Sequence, residues 1–132
     1  MAKVRIMEMD HIVLTVSDIK RSLAFYTGVL GLSGERLEEF GAGKVGFPSV
    51  RINEHTLIDL VQTENRESAT VRNLDHFCLV SESTDLGELA ADLKSRGVVV
   101  VMEPVSRWGA RGQATSIYIQ DPDENEIEIR CY

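Results

Sequence analysis

Apolar and polar residues alternate along this chain in a pattern that occurs twice. An apolar run at His11–Val16 is followed by Ser17, a favourable helix cap, and by apolar residues at helical spacing over 18–30. Gly31 comes next and is a typical helix terminator. The first half of the chain therefore predicts a strand, a helix and then three further strands at 33–39, 44–52 and 56–62.

The second half repeats this order of elements. Its first apolar run predicts a strand at 76–81, and apolar residues at helical spacing predict a helix over 85–96 that ends before Gly97. Three apolar segments complete this half as strands at 98–103, 114–120 and Glu126–Cys131. The predicted fold class is therefore α+β, with two tandem βαβββ modules and mixed sheets.

Length and composition indicate one globular domain over residues 1–132. Hydrophobic residues make up 43% of the chain and charged residues 27%, which is typical of a folded domain. The polar stretch 63–72 reads as a linker between a first module at about 8–63 and a second at about 73–132. Neither module has enough apolar residues for an independent core, so we expect the two to form one domain.

Charge and the length of the apolar runs exclude two classes of partner. A net charge of −7 opposes binding to nucleic acid or to an anionic membrane. No apolar run approaches the ~20 residues of a membrane span, and the N-terminus lacks the apolar stretch of a secretion signal. The two cysteines make no disulfide framework, so we expect a cytoplasmic protein whose partner is a small molecule.

An Asp-His pair opens the first strand of each half. His76 follows His11 by about half of the 132-residue chain, and each half ends on an apolar strand with one acidic residue, Asp59 or Glu128. Side chains alternate between the two faces of a strand, so all four residues are predicted on the face away from the helices. A carboxylate on an apolar strand is costly unless it is paired or binds a metal. Two imidazoles and two carboxylates would balance one divalent cation, which favours a metal site.

Several segments carry a resemblance to a known family. They are the strand opening at 10–16, Phe25-Tyr26 in the first helix, Leu74-Asp75-His76, and most specifically 116–129, which contains Gln120-Asp121-Pro122-Asp123-Glu124-Asn125. These segments resemble the vicinal oxygen chelate superfamily, which includes glyoxalase I, fosfomycin-resistance proteins, extradiol dioxygenases, methylmalonyl-CoA epimerase and bleomycin-resistance proteins.

The resemblance implies a curved mixed sheet that forms a cup around a divalent metal ion, and a homodimer. It places His11, His76 and Glu128 at the positions of the usual metal ligands. Asp59 falls where glyoxalase I carries a glutamate, and its shorter side chain would ligate through a water or not at all. The expected ion is Zn, Ni, Mn, Co or Fe, because His and carboxylate ligands accept several first-row metals.

The favoured function is that of a glyoxalase-like, metal-dependent lyase or isomerase acting on a small substrate with vicinal oxygens. Glu128 would then be both a metal ligand and the catalytic proton shuttle. One alternative is an Fe(II) extradiol-type dioxygenase with the same ligands. The other is a metal-free, bleomycin-resistance-like protein that binds a drug or metabolite, for which the negative charge suits a cationic ligand.

The segment 107–113 between two predicted strands is the candidate for substrate binding. Arg107, Trp108 and Arg111 would lie on a mobile loop that closes over the site, with an arginine holding a carboxylate or phosphate. An ordinary glycine-rich hairpin is the competing interpretation. Tyr118 is a further substrate-binding candidate, either as a proton donor or as a core residue.

Overall fold

A computed structural model of the protein describes residues 5–64, 74–82 and 84–132. The chain divides into two compact units, Met1–Glu67 and Ser68–Tyr132. Most of the predicted linker, residues 65–72, lies outside the described residues. Within the described part of the chain, no helix has the length and apolar character needed to cross a membrane.

The first unit contains a four-stranded mixed sheet in the order β1-β4-β3-β2. Strand β1 runs parallel to β4, and the other neighbours are antiparallel. Helix α1 continues directly into a π-helical segment, Ala24–Val29. The elements in chain order are β1 (His11–Val16), α1 (Ile19–Leu23), β2 (Ser33–Glu35), α2 (Leu37–Gly41), β3 (Ser49–Arg51) and β4 (Leu57–Gln62).

The second unit repeats this topology with the sheet order β5-β8-β7-β6. Strand β5 runs parallel to β8, whereas β7 is antiparallel to both of its neighbours. The elements are β5 (Phe77–Val80), α3 (Leu86–Ser95), β6 (Val100–Gly109), β7 (Gly112–Gln120) and β8 (Glu126–Cys131). Two four-stranded mixed sheets with few helices confirm the α+β fold class predicted from the sequence.

Side-chain capping sets where the helices begin. Asp18, rather than the predicted Ser17, caps α1 by accepting a hydrogen bond from the Arg21 backbone N–H at 3.2 Å. Asp85 caps α3 in the same way, through the Glu88 N–H at 3.1 Å. The helix predicted over 18–30 is present, but its second part is π-helical.

The middle of the first unit differs from the sequence prediction. The strand predicted over 33–39 ends at Glu35, because Arg36 adopts a left-handed backbone conformation with φ 60° and α2 begins directly after it. The strand predicted over 44–52 shortens to β3, which starts immediately after Pro48. Proline has no backbone N–H to donate to a ladder, so the strand cannot extend through it as a regular partner.

Each sheet has an apolar face and a polar face. In the first unit Leu14, Val16 and Tyr26 are buried, whereas His11, Val13 and Thr15 point away from that core. In the second unit the buried residues are Ile117, Ile119 and Ile127 of the sheet and Ala90 and Leu93 of α3. The predicted alternation is therefore observed, and it leaves the histidines and carboxylates on the opposite face of each sheet.

Candidate functional site

In the first unit, His11 and Asp59 lie on neighbouring parallel strands. Strand pairing sets Val13 opposite Asp59, and His11 precedes Val13 by two residues, so all three share one face. His11 Nε2 lies 3.9 Å from Asp59 Oδ2. The other imidazole nitrogen, Nδ1, donates to the Asp10 carboxylate at 2.7 Å.

Asp59 is held by a short chain of hydrogen bonds. The hydroxyl of buried Ser49 donates to Asp59 Oδ1 at 2.6 Å. Arg36 Nη2 in turn donates to Ser49 Oγ at 2.9 Å, and its guanidinium lies 4.8 Å from the centre of the Phe47 ring. Arg36 therefore acts on Asp59 through the Ser49 hydroxyl rather than by direct contact.

In the second unit, His76 and Glu128 repeat this arrangement in the same register. Cys78 pairs with Glu128 across β5 and β8, and His76 precedes Cys78 by two residues. His76 Nε2 lies 3.2 Å from Glu128 Oε1, and its Nδ1 donates to Asp75 at 2.6 Å. Both units thus combine an Asp-His pair with a carboxylate on the adjacent parallel strand.

Glu128 is buried, and both of its oxygens have hydrogen-bond donors. Ser116 Oγ donates to Oε2 at 2.7 Å, and Arg130 Nη1 donates to the same oxygen at 3.1 Å. The Tyr118 hydroxyl donates to Oε1 at 2.9 Å. Oε2 is therefore held by two protein groups, whereas Oε1 faces Tyr118 and His76.

Arg130 connects this carboxylate to the backbone of the β6–β7 hairpin. Its side chain is only 3% exposed. Besides Glu128, it donates to the carbonyl oxygens of Arg107 and Gly112 at 3.0 Å and of Trp108 at 3.3 Å. A buried arginine with this many acceptors fixes the position of the carboxylate that it neutralises.

The environment of Glu128 favours its charged form. Burial raises its pKa, but the hydrogen bonds from Ser116, Tyr118 and Cys78 and the charge of Arg130 outweigh burial, so the pKa lies below the ordinary value. Loss of solvent raises the pKa of Tyr118, and the Glu128 carboxylate adds to this, while Arg107 opposes it. Burial and the Glu128 carboxylate also raise the pKa of the Cys78 thiol, to about 11, so this thiol stays protonated at neutral pH.

The two aspartates set the protonation of the histidines. A carboxylate only accepts hydrogen bonds, so Nδ1 of each imidazole carries a proton toward Asp10 or Asp75. In a neutral imidazole the Nε2 lone pair then faces a carboxylate oxygen, and in the second unit the separation is 3.2 Å. Two electron-rich atoms at this distance need a proton or a cation between them.

We expect the Asp-His contacts to raise the imidazole pKa in the metal-free protein. The Asp75 hydrogen bond is the largest cause of the raised pKa of His76, and Asp10 is the largest cause for His11. A proton NMR titration should therefore give both pKa values above 6.5. Asp75→Asn should lower the pKa of His76 alone, and Asp10→Asn that of His11 alone.

The raised pKa of His76 also predicts how the stability of the fold depends on pH, because proton binding and folding are linked. A pKa that is higher in the folded state stabilises the fold below pH 6.5, and this contribution disappears as the pH rises through the folded pKa. Asp75→Asn should remove that contribution for His76. Unchanged histidine titrations in both variants would show that the aspartates do not act on the imidazoles.

The three residues predicted to form a substrate-binding loop lie on different elements or different faces of the sheet. Arg107 and Trp108 lie within β6 rather than in a loop, and only Ala110 and Arg111 form the turn. Arg107 pairs with Ala114 of β7, so it shares the face of Ser116, Tyr118 and Glu128.

Trp108 and Arg111 lie elsewhere. Trp108 pairs with Gln113 on the other face of the sheet and is 76% exposed. The Arg111 guanidinium stacks 4.2 Å from the centre of the Tyr132 ring. The competing interpretation of 107–113, a glycine-rich hairpin, describes this segment, and Arg107 alone of the three lies on the face of Glu128.

The residues that hold the two carboxylates were not predicted as site residues. Ser49 and Arg36 act on Asp59, and Ser116 and Arg130 act on Glu128. For the second pair a signal existed, because Ser116, Tyr118, Glu128 and Arg130 are polar residues at alternate positions of otherwise apolar strands.

The donor atoms of the second unit fit a metal ion in type and in spacing. Ligand nitrogens and oxygens lie at ~2.1 Å from zinc, so two ligands of one ion are roughly 3 to 3.5 Å apart. His76 Nε2 and Glu128 Oε1 match this at 3.2 Å, whereas the His11–Asp59 pair is wider at 3.9 Å. Among residues 5–64, 74–82 and 84–132, no three His, Cys, Asp or Glu side chains form a cluster that could hold an ion.

Comparisons with known proteins find relatives of this chain. A family model described as the Glyoxalase/Bleomycin resistance protein/Dioxygenase superfamily matches residues 8–129. The chain is 36% identical over 123 residues to virulence protein STM3117 of Salmonella typhimurium, an alignment that covers 93% of this chain and 83% of the relative. It is 31% identical over 127 residues to the lactoylglutathione lyase of Salmonella typhimurium, covering 93% and 91%.

A solved structure shows the same fold over nearly the whole chain. The integron cassette protein VCH_CASS1 from V. cholerae superimposes with a TM-score of 0.73 at 32% identity, and the match covers 98% of each chain.

Proposed function

Because the chain belongs to the Glyoxalase/Bleomycin resistance protein/Dioxygenase superfamily, we propose that it is a metal-dependent enzyme of the lyase or isomerase type. Its substrate would be a small molecule with two neighbouring oxygen atoms. The observation that carries this proposal is the 3.2 Å approach of His76 Nε2 to Glu128 Oε1, with Nδ1 already committed to Asp75. A divalent cation between these two atoms would remove their repulsion.

In this proposal the ion would be Zn, Ni, Mn, Co or Fe, and its ligands would be the residues that the family resemblance implies, His11, His76 and Glu128. Asp59 would ligate through a water, in keeping with its wider spacing from His11. Asp10 and Asp75 orient the imidazoles and raise their basicity, as carboxylates commonly do behind histidine ligands. When bound, such an ion supplies Lewis-acid stabilisation of negative charge on a substrate oxygen.

Residues of the protein would then carry out the proton transfer. The Glu128 carboxylate, released from the ion, would accept a proton from a carbon next to a carbonyl group and return it to the neighbouring atom. Ser116 and Arg130 hold Oε2, so the carboxylate keeps its orientation during the transfer. The Tyr118 hydroxyl, 2.9 Å from Oε1, would stabilise the charged carboxylate before and after it.

The comparisons support this reaction type. Relatives of the chain from Synechocystis and Salmonella are named as probable or actual lactoylglutathione lyases. The homodimer and the cytoplasmic location expected from the sequence stay predictions.

One observation favours a second candidate, a metal-free protein that binds a small metabolite or drug. Glu128 already has Ser116, Arg130 and Tyr118 as donors. The Arg130 charge balances Glu128 without a metal ion, and a proton on His76 Nε2 would satisfy the contact with Oε1, so a binding protein would need nothing more at this position.

Metal analysis distinguishes the candidates. The protein is purified without chelators or a histidine-affinity step, and its metal content is measured by plasma mass spectrometry before and after loading with each ion. About one Zn, Ni, Mn or Co per chain supports the proposed enzyme. One Fe per chain together with substrate-dependent oxygen consumption would instead indicate the dioxygenase alternative. Failure to bind any of the five ions would overturn the metal-dependent proposal in favour of the binding protein.

A further inference from the structure

Arg107 is a cation on the same face of the second sheet as the Glu128 cluster. It pairs with Ala114, and β7 then carries Ser116 and Tyr118 on that face. The Arg107 side chain extends along β6 toward Met102, which is the cross-strand partner of Tyr118. The guanidinium is therefore directed toward the tyrosine whose hydroxyl contacts Glu128 Oε1.

The guanidinium contacts a backbone carbonyl group and a sulfur atom, and it also acts on the Tyr118 hydroxyl, whose pKa it lowers. Nη1 donates to the carbonyl oxygen of the preceding Ser106 at 3.1 Å, and Nη2 lies 3.3 Å from the Met102 sulfur. Across the described parts of the chain it contacts no carboxylate. Its positive charge is therefore not paired with a carboxylate in the described residues, although the protein carries a net charge of −7.

The other arginines of this hairpin region have partners of their own. Arg130 is buried and donates to Glu128 and to three backbone carbonyl groups. Arg111 in the turn stacks on Tyr132, and its own backbone N–H donates to the Tyr132 hydroxyl at 3.0 Å. Arg130 is enclosed by its acceptors and Arg111 is held against Tyr132 in the turn, so Arg107 is the one of these three whose partly exposed guanidinium lies on the face of Glu128.

We propose that Arg107 is a substrate-binding residue that selects for a carboxylate group on the substrate, next to the oxygens handled by Glu128. A carboxylate matches a guanidinium in planar geometry and accepts two parallel hydrogen bonds. One arginine balances the single charge of a carboxylate, whereas a phosphate dianion beside Glu128 would need a second cation. This inference rests on the proposed function, because it identifies the substrate class of that same site.

Glycolate and its neutral amide, glycolamide, are probes that differ in this one group. Their binding is measured by NMR titration of the metal-free and metal-loaded wild type, Arg107→Gln and Arg107→Lys. Arg96→Gln, on the C-terminal end of α3, is the matched control for loss of one positive charge. Thermal unfolding of each variant verifies that it is folded.

In the metal-free protein, glycolate should bind at least about tenfold more tightly than glycolamide, which corresponds to one charge-assisted pair. Arg107→Gln should abolish this preference, Arg107→Lys should retain part of it, and Arg96→Gln should leave it unchanged. The inference is overturned if wild type shows no preference, if Arg107→Gln retains it, or if Arg111→Gln removes it instead. Metal content is measured separately, so a protein that binds no metal but discriminates through Arg107 would refute the proposed enzyme and not the carboxylate site.

Discussion

Replacing His76 with alanine is expected to reduce metal affinity by more than about a hundredfold. A change in a residue that merely orients a ligand typically costs about 10–100-fold, and loss of the ligand itself costs more. His76 Nε2 is the atom that faces Glu128 Oε1, so its removal eliminates half of the closer of the two His–carboxylate pairs described above. The measurement is a competition titration of the loaded protein with a chromogenic chelator, supported by plasma mass spectrometry.

Two other substitutions make this result specific. His55→Ala removes an exposed histidine that lies 3.5 Å from Glu8 and 3.8 Å from Glu54, and it should leave metal affinity unchanged. Asp75→Asn removes the orienting carboxylate and should give an intermediate loss of about 10–100-fold. Equal affinities in His76→Ala and His55→Ala would show that His76 is not a ligand.

Replacing Arg130 with methionine is expected to lower the free energy of unfolding of the metal-free protein by about 3–5 kcal/mol. Removing one partner of a buried ion pair leaves the other charge uncompensated, which is a large cost. Here the Arg130 and Glu128 side chains are only 3% and 6% exposed, and the hairpin carbonyl groups also lose their donor. Urea unfolding at neutral pH, followed by circular dichroism, measures the loss.

The partner substitution and a surface control test the cause of that loss. Arg130→Met combined with Glu128→Gln should be less destabilising than Arg130→Met alone, because no buried charge is then left unpaired. Arg96→Met removes an exposed charge near Asp92 and should change stability by no more than about 0.5 kcal/mol. If the double variant is as unstable as Arg130→Met alone, the destabilisation arises from lost packing rather than from an unpaired charge.

The pH dependence of stability provides a second readout for this pair. The pKa of Glu128 is lowered in the folded protein, so its contribution to stability is present above the unfolded pKa and is lost as the pH falls through the folded pKa. Arg130→Met raises the folded pKa of Glu128 by removing the compensating charge. The difference in stability between wild type and this variant should therefore narrow as the pH is lowered.

Strand and helix positions followed from local sequence patterns where a single physical rule applied. Strands β1 and β8 have their predicted bounds, and α3 lies within one residue of its prediction at each end. In each case an apolar pattern of one period is bounded by capping or turn residues. The prediction was wrong at 33–39, because Arg36 adopts a left-handed conformation that is uncommon for a non-glycine residue and that residue type therefore does not predict.

The repeated Asp-His pairs and the two acidic strand residues identified the candidate ligands from sequence alone. Their shared face followed from the two-residue alternation of a strand, which is a property of each segment by itself. The orienting role of Asp75 and the distance from His76 to Glu128 required the parallel pairing of β5 with β8.

The polar partners of Glu128 depend on strand register, which local patterns do not encode. Ser116, Tyr118 and Arg130 meet Glu128 because β7 and β8 pair with Tyr118 opposite Glu128, and a shift of one residue would turn all of them to the other face. Arg107 and Trp108 point to opposite faces because side chains alternate along a strand, and the pairing of Arg107 with Ala114 sets Arg107 on the face of Glu128. The residue types and their alternation could thus be predicted from the sequence alone. The contacts that balance the buried charge of Glu128 were decided by the tertiary structure. They form only when distant strands pair, because hydrogen bonding between strands selects one register among several.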